Sequence, residues 1–182
     1  ARKSRGLGDV YKRQVLEIWN LVFIQFNRKK DGSLQKLDKQ YVDTGMGLER
    51  LCMALQKKNS TYETDLFSDI IKELENISKK KYLAGDEKID VGIRVISDHL
   101  RAIVFTILDG QTPSNTGPGY VIRRILRRAL RYGYTNLDIQ TPFIYKLVDI
   151  IENKYSSLYP NIITQRDFIK SIIKDEEEGF LK

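Results

Sequence analysis

The segment Asn115-Thr116-Gly117-Pro118-Gly119-Tyr120-Val121-Ile122-Arg123-Arg124-Ile125-Leu126-Arg127-Arg128-Ala129-Leu130-Arg131-Tyr132 carries five arginines. At about 100° per residue, Arg123, Arg127, Arg131, Arg124 and Arg128 fall at roughly 0, 40, 80, 100 and 140° on a helix, opposite Ile122, Ile125, Leu126, Ala129 and Leu130. Arginine stays charged at any physiological pH and presents a planar fork of donors that fits phosphate. A merely solvated basic face is the plain alternative, and such faces are usually laced with carboxylates at i,i+4 spacing. No Asp or Glu occurs between Asn115 and Tyr132, so the preferred reading is a polyanion lying along the helix.

A second constellation is Val42-Asp43-Thr44-Gly45-Met46-Gly47-Leu48-Glu49-Arg50-Leu51. It runs from the end of an expected strand into the start of a helix. Gly45 and Gly47 allow close approach of backbone to a ligand, the helix N-terminus favours negative charge, and Arg50 is a fixed cation one turn in. On residue types alone a tight strand-to-helix turn explains the segment equally well. Asn115, in a Pro/Gly loop, is by type a turn former. His99 and Asp98 sit in an apolar helix and read as a hydrogen-bonded packing pair, and Tyr62 and Phe67 read as packing aromatics. Tyr132 and Tyr134 beside the arginines suit either core or stacking.

These groups need elements to hold them. Val15 to Asn27 and Leu34 to Val42, joined by Asp31-Gly32-Ser33, predict a β-hairpin. Apolar residues occur on both parities of the first strand (Ile18, Val22, Ile24 and Phe26 against Trp19, Leu21 and Phe23), which predicts an interior strand covered on both faces. From Gly47 the period becomes helical: Leu48, Leu51, Cys52 and Leu55 share a face, and so do Leu66, Ile70, Leu74 and Ile77. Lys79 to Lys88 is a polar connector. Ile93 to Leu108 predicts an apolar helix ended by Asp109-Gly110, and Gln111 to Gly119 a loop feeding the arginine helix. Thr141-Pro142 starts another helix, and Ile163 to Lys182 predicts a last one ending in an acidic run.

Composition sets the outer bounds. The 182 residues are 41% hydrophobic and 30% charged, with a formal net charge of +7, which favours an anionic partner. Apolar runs such as Ala102 to Phe105 are too short to span a bilayer, so no membrane role is expected. One cysteine and one histidine leave no internal disulfide and no zinc constellation in this segment; a reducing, cytoplasmic setting is the expectation. Residues 1–14 are basic without the apolar stretch of a secretory signal and are set aside.

Several segments in register resemble one family. Glu17-Ile18-Trp19-Asn20-Leu21-Val22-Phe23-Ile24-Gln25-Phe26-Asn27-Arg28, then Val42 to Leu51, Tyr62-Glu63-Thr64-Asp65-Leu66-Phe67, Arg94 to Arg101, and Asp109-Gly110-Gln111 through Gly133 resemble, in order, the alanyl-tRNA synthetases. Val42 to Leu51 is similar to motif 3 of the class II aminoacyl-tRNA synthetases. The resemblance implies an α+β chain: the end of an antiparallel catalytic sheet with its motif 3 helix (15–58), followed by a mainly helical tRNA-recognition domain (59–182), with 1–14 unassigned. It implies that Asn20, Asp43 and Gly45 line an alanine pocket, Asp43 facing the ammonium group. Gly47 and Arg50 would bind ATP, used with Mg2+ as a substrate, and Arg50 would act in catalysis by stabilising charge as pyrophosphate leaves. Asn115 would read a G·U wobble pair in the acceptor stem of tRNA(Ala), while Arg123, Arg124, Arg127, Arg128 and Arg131 hold its phosphates. No metal ligand is expected here.

The same resemblance implies a segment that follows motifs 1 and 2 and precedes the editing and oligomerisation regions, so aminoacylation by the segment alone is not expected. Thr61 stands where the family usually has Asn, and Glu63 where it usually has Asp. Two readings from other classes remain: a non-catalytic RNA-binding helical module, and a helical domain using its basic face on an acidic protein.

Overall fold

In the computed structural model, residues 16–85 and 87–181 are described. They comprise β1 (Trp19–Arg28), β2 (Leu34–Met46), α1 (Leu48–Leu55), α2 (Asp65–Ser78), α3 (Lys88–Leu108), α4 (Gly117–Leu137), α5 (Val148–Tyr155) and α6 (Asn161–Leu181), with single 3-10 turns at Thr61–Glu63 and Ile144–Leu147. The chain is α+β, as the sequence predicts. It divides into two compact units, one ending at Leu66 and the other starting at Phe67. The expected strand start at Val15 lies outside the described residues.

The first unit is built on an antiparallel hairpin. Asp31 Oδ1 accepts from Ser33 N at 2.9 Å and Gly32 has φ +86°, so the turn uses the residues that the sequence offers for it. The register shifts between Ile24 and Phe26, where β2 carries more residues than β1. Cover on both faces of β1 is not found: Trp19 is 56% exposed and Phe23, on the same parity, 71%, and Ile24 and Phe26 are exposed too. Apolar residues on both parities state a need for cover, and no described element of this first unit supplies it.

The second unit is helical, with one buried core. Ile70 and Leu74 of α2, Ile93, Ile96, Leu100 and Ile107 of α3, Leu126 of α4, Ile151 of α5 and Ile169 and Ile173 of α6 are sealed from solvent. A buried Leu or Ile contributes about 1.5–3 kcal/mol, against about 0–1 kcal/mol for an exposed ion pair. Apolar packing of α3 on α4, rather than the Lys80–Asp138 ion pair at the surface, therefore decides where α4 lies. Gly133 of α4 permits close packing: a Cβ there would stand 2.4 Å from the Phe143 ring.

After Pro142 the chain forms the 3-10 turn first, and α5 begins only at Val148. The cause is a distant side chain. Glu177 of α6 accepts from the backbone N–H groups of Phe143, Ile144 and Tyr145 at 2.9, 2.9 and 3.0 Å, satisfying donors that a longer helix would have left orphaned.

Candidate functional site

In the first unit, Asn20 pairs with Gly45 and Val22 with Asp43 across the hairpin. Side chains alternate along strands and paired residues point the same way, so Asn20, Asp43 and Gly45 share one face. Trp19 and Thr44 lie on the other, where the indole N–H donates to Thr44 Oγ1 at 2.5 Å and that hydroxyl donates to the Asn20 carbonyl at 3.1 Å. A Cβ on Gly45 would meet nothing within 4 Å, so the space beside Asn20 and Asp43 is open. The hairpin's cavity of about 450 Å3 lies elsewhere, around Phe23, Phe26 and Leu34.

Arg50 is tied to the same region. Its Nη1 donates to the Glu17 carbonyl at 2.6 Å, Gly47 N donates to the Ile18 carbonyl at 3.0 Å, and Asn20 Nδ2 donates to the Glu17 carboxylate at 3.4 Å. These bonds fasten the start of α1 to the segment entering β1. A Cβ at Gly47 would lie 3.4 Å from Arg50 Cδ, so the arginine side chain folds back over the first turn of α1.

In the second unit, the loop before α4 is drawn against the helix start. Ser114 N donates to the Gly119 carbonyl at 3.1 Å and Ser114 Oγ to the Thr116 carbonyl at 2.7 Å. Gly119 is required there: a Cβ would sit 2.4 Å from both Ser114 Oγ and the Thr112 carbonyl oxygen. Asn115 thus stands exposed at the N-terminal end of the arginine helix, its Oδ1 accepting from Arg123 Nη1.

The five arginines do not form one free stripe. Arg123 Nε and Arg127 Nε both donate to Glu176 Oε1 of α6, at 2.7 and 2.6 Å. Arg124, Arg128 and Arg131 remain exposed, with no carboxylate within ion-pair distance among the described residues. They line a groove of about 600 Å3 together with Arg127, His99 of α3, Tyr132 and Phe180. Lack of acid inside 115–132 thus did not leave all five unpaired, because a helix about fifty residues later reaches two of them.

The sequence matches, over residues 1–182, the family described as tRNA synthetases class II (A). The chain belongs to the class II tRNA synthetases. Among its relatives are proteins named alanine–tRNA ligase: that of Parabacteroides distasonis is 55% identical over 93% of this chain, and that of Cytophaga hutchinsonii 54% identical over 93%. The one from Salinibacter ruber is 47% identical over 98%. This synthetase chain spans about a fifth of their length: 19% of the first two and 20% of the third.

Three residues of the synthetase chain border the candidate site although their sequence context assigned them no part in it. Glu176 was part of an acidic helix end, Ser114 part of a loop, and His99 a packing residue. His99 Nδ1 is 3.1 Å from Asp98 Oδ2, as a packing pair would be, yet the imidazole also borders the arginine groove. Its hydrogen bond, with help from the charges of Arg101 and Arg128, holds the Asp98 carboxyl below the usual carboxylate range. Phe67 meets the expectation of a packing aromatic, with the Arg101 guanidinium 4.9 Å over its ring. Arg128 lies 5.8 Å over Tyr132, so that ring supports an arginine. Among the described residues no group of three His, Cys, Asp or Glu is arranged for a metal ion, and no helix is long and apolar enough to cross a membrane.

Proposed function

We propose that this chain is the motif 3 and acceptor-stem-recognition segment of an alanine–tRNA ligase. Residues 15–58 complete the catalytic domain and 59–182 belong to the tRNA-recognition domain of a cytoplasmic enzyme. The observation that carries the RNA reading is the row Arg124, Arg128 and Arg131 along one groove, with Asn115 exposed at the end of the same helix. The similarity to proteins named alanine–tRNA ligase supports the amino acid.

In this reading the alanine carboxylate attacks the α-phosphate of ATP and pyrophosphate leaves, so the protein supplies positioning and charge rather than a nucleophile. Asp43 accepts from the substrate ammonium, Asn20 beside it offers an amide, and Gly45 leaves the volume open. Arg50, with the first turn of α1 after Gly47, holds phosphate oxygens. ATP brings Mg2+ in such a reaction, and no residue of this segment is assigned to it. On the helical unit, Arg124, Arg128 and Arg131 fix register on the stem through phosphates, and Asn115 reads a base-pair edge in the shallow groove.

The test is competition binding between two stems that differ only in a G·U wobble or a Watson–Crick pair at the reading site. Arg128→Ala is expected to weaken both about equally, since phosphates carry no sequence. Asn115→Ala is expected to cost on the order of 1–3 kcal/mol for the wobble stem and little for the other. Retained preference in Asn115→Ala would reduce Asn115 to a loop former.

A further inference from the structure

We propose that Glu176 is a positioning residue for Asn115, acting through Arg123 to turn the asparagine's amide so that its NH2 group, and not its oxygen, faces a ligand. The inference rests on the reading of Asn115 as a base-contacting residue. Three side chains form the relay, Asn115 just before α4, Arg123 on α4 and Glu176 far along the chain on α6. Glu176 Oε1 accepts from Arg123 Nε at 2.7 Å, and Arg123 Nη1 donates to Asn115 Oδ1. The same carboxylate oxygen accepts from Arg127 Nε at 2.6 Å, so Glu176 is fixed from two turns of α4. Its side chain is only 15% exposed, against 27% for Arg123 and 39% for Arg127. The anchor is therefore the least solvated member and Asn115 the most exposed.

Donor chemistry fixes the orientation. A guanidinium has N–H donors and no acceptor, so the amide atom facing Arg123 is necessarily the oxygen. One lone pair of Oδ1 is thereby engaged, and the two Nδ2 hydrogens point away from the arginine. An amide free to flip would offer donor or acceptor at random and discriminate poorly between base edges. Held by Arg123, it is a committed donor, suited to an acceptor such as pyrimidine O2 or purine N3 in the shallow groove of A-form RNA. Glu176 adds direction to Arg123, whose long stem would otherwise wander. It also engages Arg123 and the Nε of Arg127, while Arg127 still lines the groove beside Arg124, Arg128 and Arg131.

The relay is tested with the 182-residue chain, by competition binding of wobble and Watson–Crick stems to Asn115→Ala, Asn115→Asp, Glu176→Ala, Glu176→Gln and Arg123→Lys. Glu176→Ala is expected to reduce the wobble preference at least about threefold, as for residues within one hydrogen-bond network, while affinity for the Watson–Crick stem holds or rises because a negative charge is gone. Glu176→Gln keeps an acceptor oxygen and is expected to restore the preference. Asn115→Asp retains the bond to Arg123 but has no donor, and is expected to lose the preference as fully as Asn115→Ala. Should Glu176→Ala fail to fold, Arg123→Lys decides: it keeps the charge, cannot reach both partners at once, and is expected to lose the preference. If Asn115→Ala retains the preference, the base-reading role itself is wrong. If Asn115→Ala loses it while Glu176→Ala or Arg123→Lys keeps it, or weakens both stems equally, the relay alone is overturned; a selective Asn115→Asp would show that the oxygen does the reading.

Discussion

Glu176 and Glu177 are neighbours in the chain with different tasks. Glu177 is fully buried and caps three backbone N–H groups, and burial pushes its carboxyl above the usual glutamate range although those three bonds pull the other way. In Glu177→Gln one oxygen becomes an NH2 group, leaving a buried donor facing a donor. The expected cost is about 1–3 kcal/mol, read as a lower melting temperature. The raised value also has a sign: the native state binds this proton more tightly than the unfolded chain, so the associated stability is full below the ordinary glutamate range and is lost as pH rises through the raised value. The melting-temperature gap between the parent and Glu177→Gln should therefore narrow from acid toward neutral pH; a widening gap would contradict the direction. On the hairpin, Asp43→Ala in a full-length ligase carrying this segment should raise the alanine requirement far more than the ATP requirement. Equal effects on both substrates would count against a contact with the ammonium.

At the level of elements, α4 depends on how its first turn is packed. Gly119→Ala would force a Cβ against Ser114 Oγ and the Thr112 carbonyl oxygen, both 2.4 Å away, so the loop carrying Asn115 must move. Overpacking of this kind costs about 1–3 kcal/mol. The melting temperature should fall and the wobble preference with it; an unchanged preference would show that loop position is not what sets it. The arginine face can be counted in a salt titration. Five phosphate contacts would give a log K against log salt slope of roughly −3.5 to −4.5, whereas three give roughly −2 to −2.7. With Arg123 and Arg127 held by Glu176, the smaller slope is expected, and Glu176→Ala should steepen it.

The chain carries a net charge of +7; its helical unit has a buried core, and the hairpin of its first unit keeps apolar side chains exposed. No cavity among those described gathers Asn20, Asp43 and Arg50. Substrate atoms would be touched but not enclosed, so alanine-dependent ATP–pyrophosphate exchange by the 182-residue chain should not rise above a blank. Robust exchange would overturn the view that the active centre needs more than these residues.

What the sequence determined by itself was local: Asp31-Gly32-Ser33 closes a hairpin because turn chemistry is written in consecutive residues, and the apolar period located the helices at 65–78, 88–108, 117–137 and 161–181, although α3 starts at Lys88 rather than the expected Ile93. The arginine face of α4 follows from the helical period, and Asp43 and Gly45 share a face by the strand period, whereas Asn20 joins them only through the pairing of β1 with β2. Partnership between distant residues, the pairing of Asn20 with Gly45 included, was decided by the tertiary structure. That Glu176 would take Arg123 and Arg127, that Glu177 would hold residues 143–145 in a 3-10 turn, and that His99 would border the groove all depend on where α3 and α6 pack against α4. Periodicity tells which face of a helix is apolar, but contacts between helices depend on the angle and depth at which side chains interlock, and those are properties of the packed core.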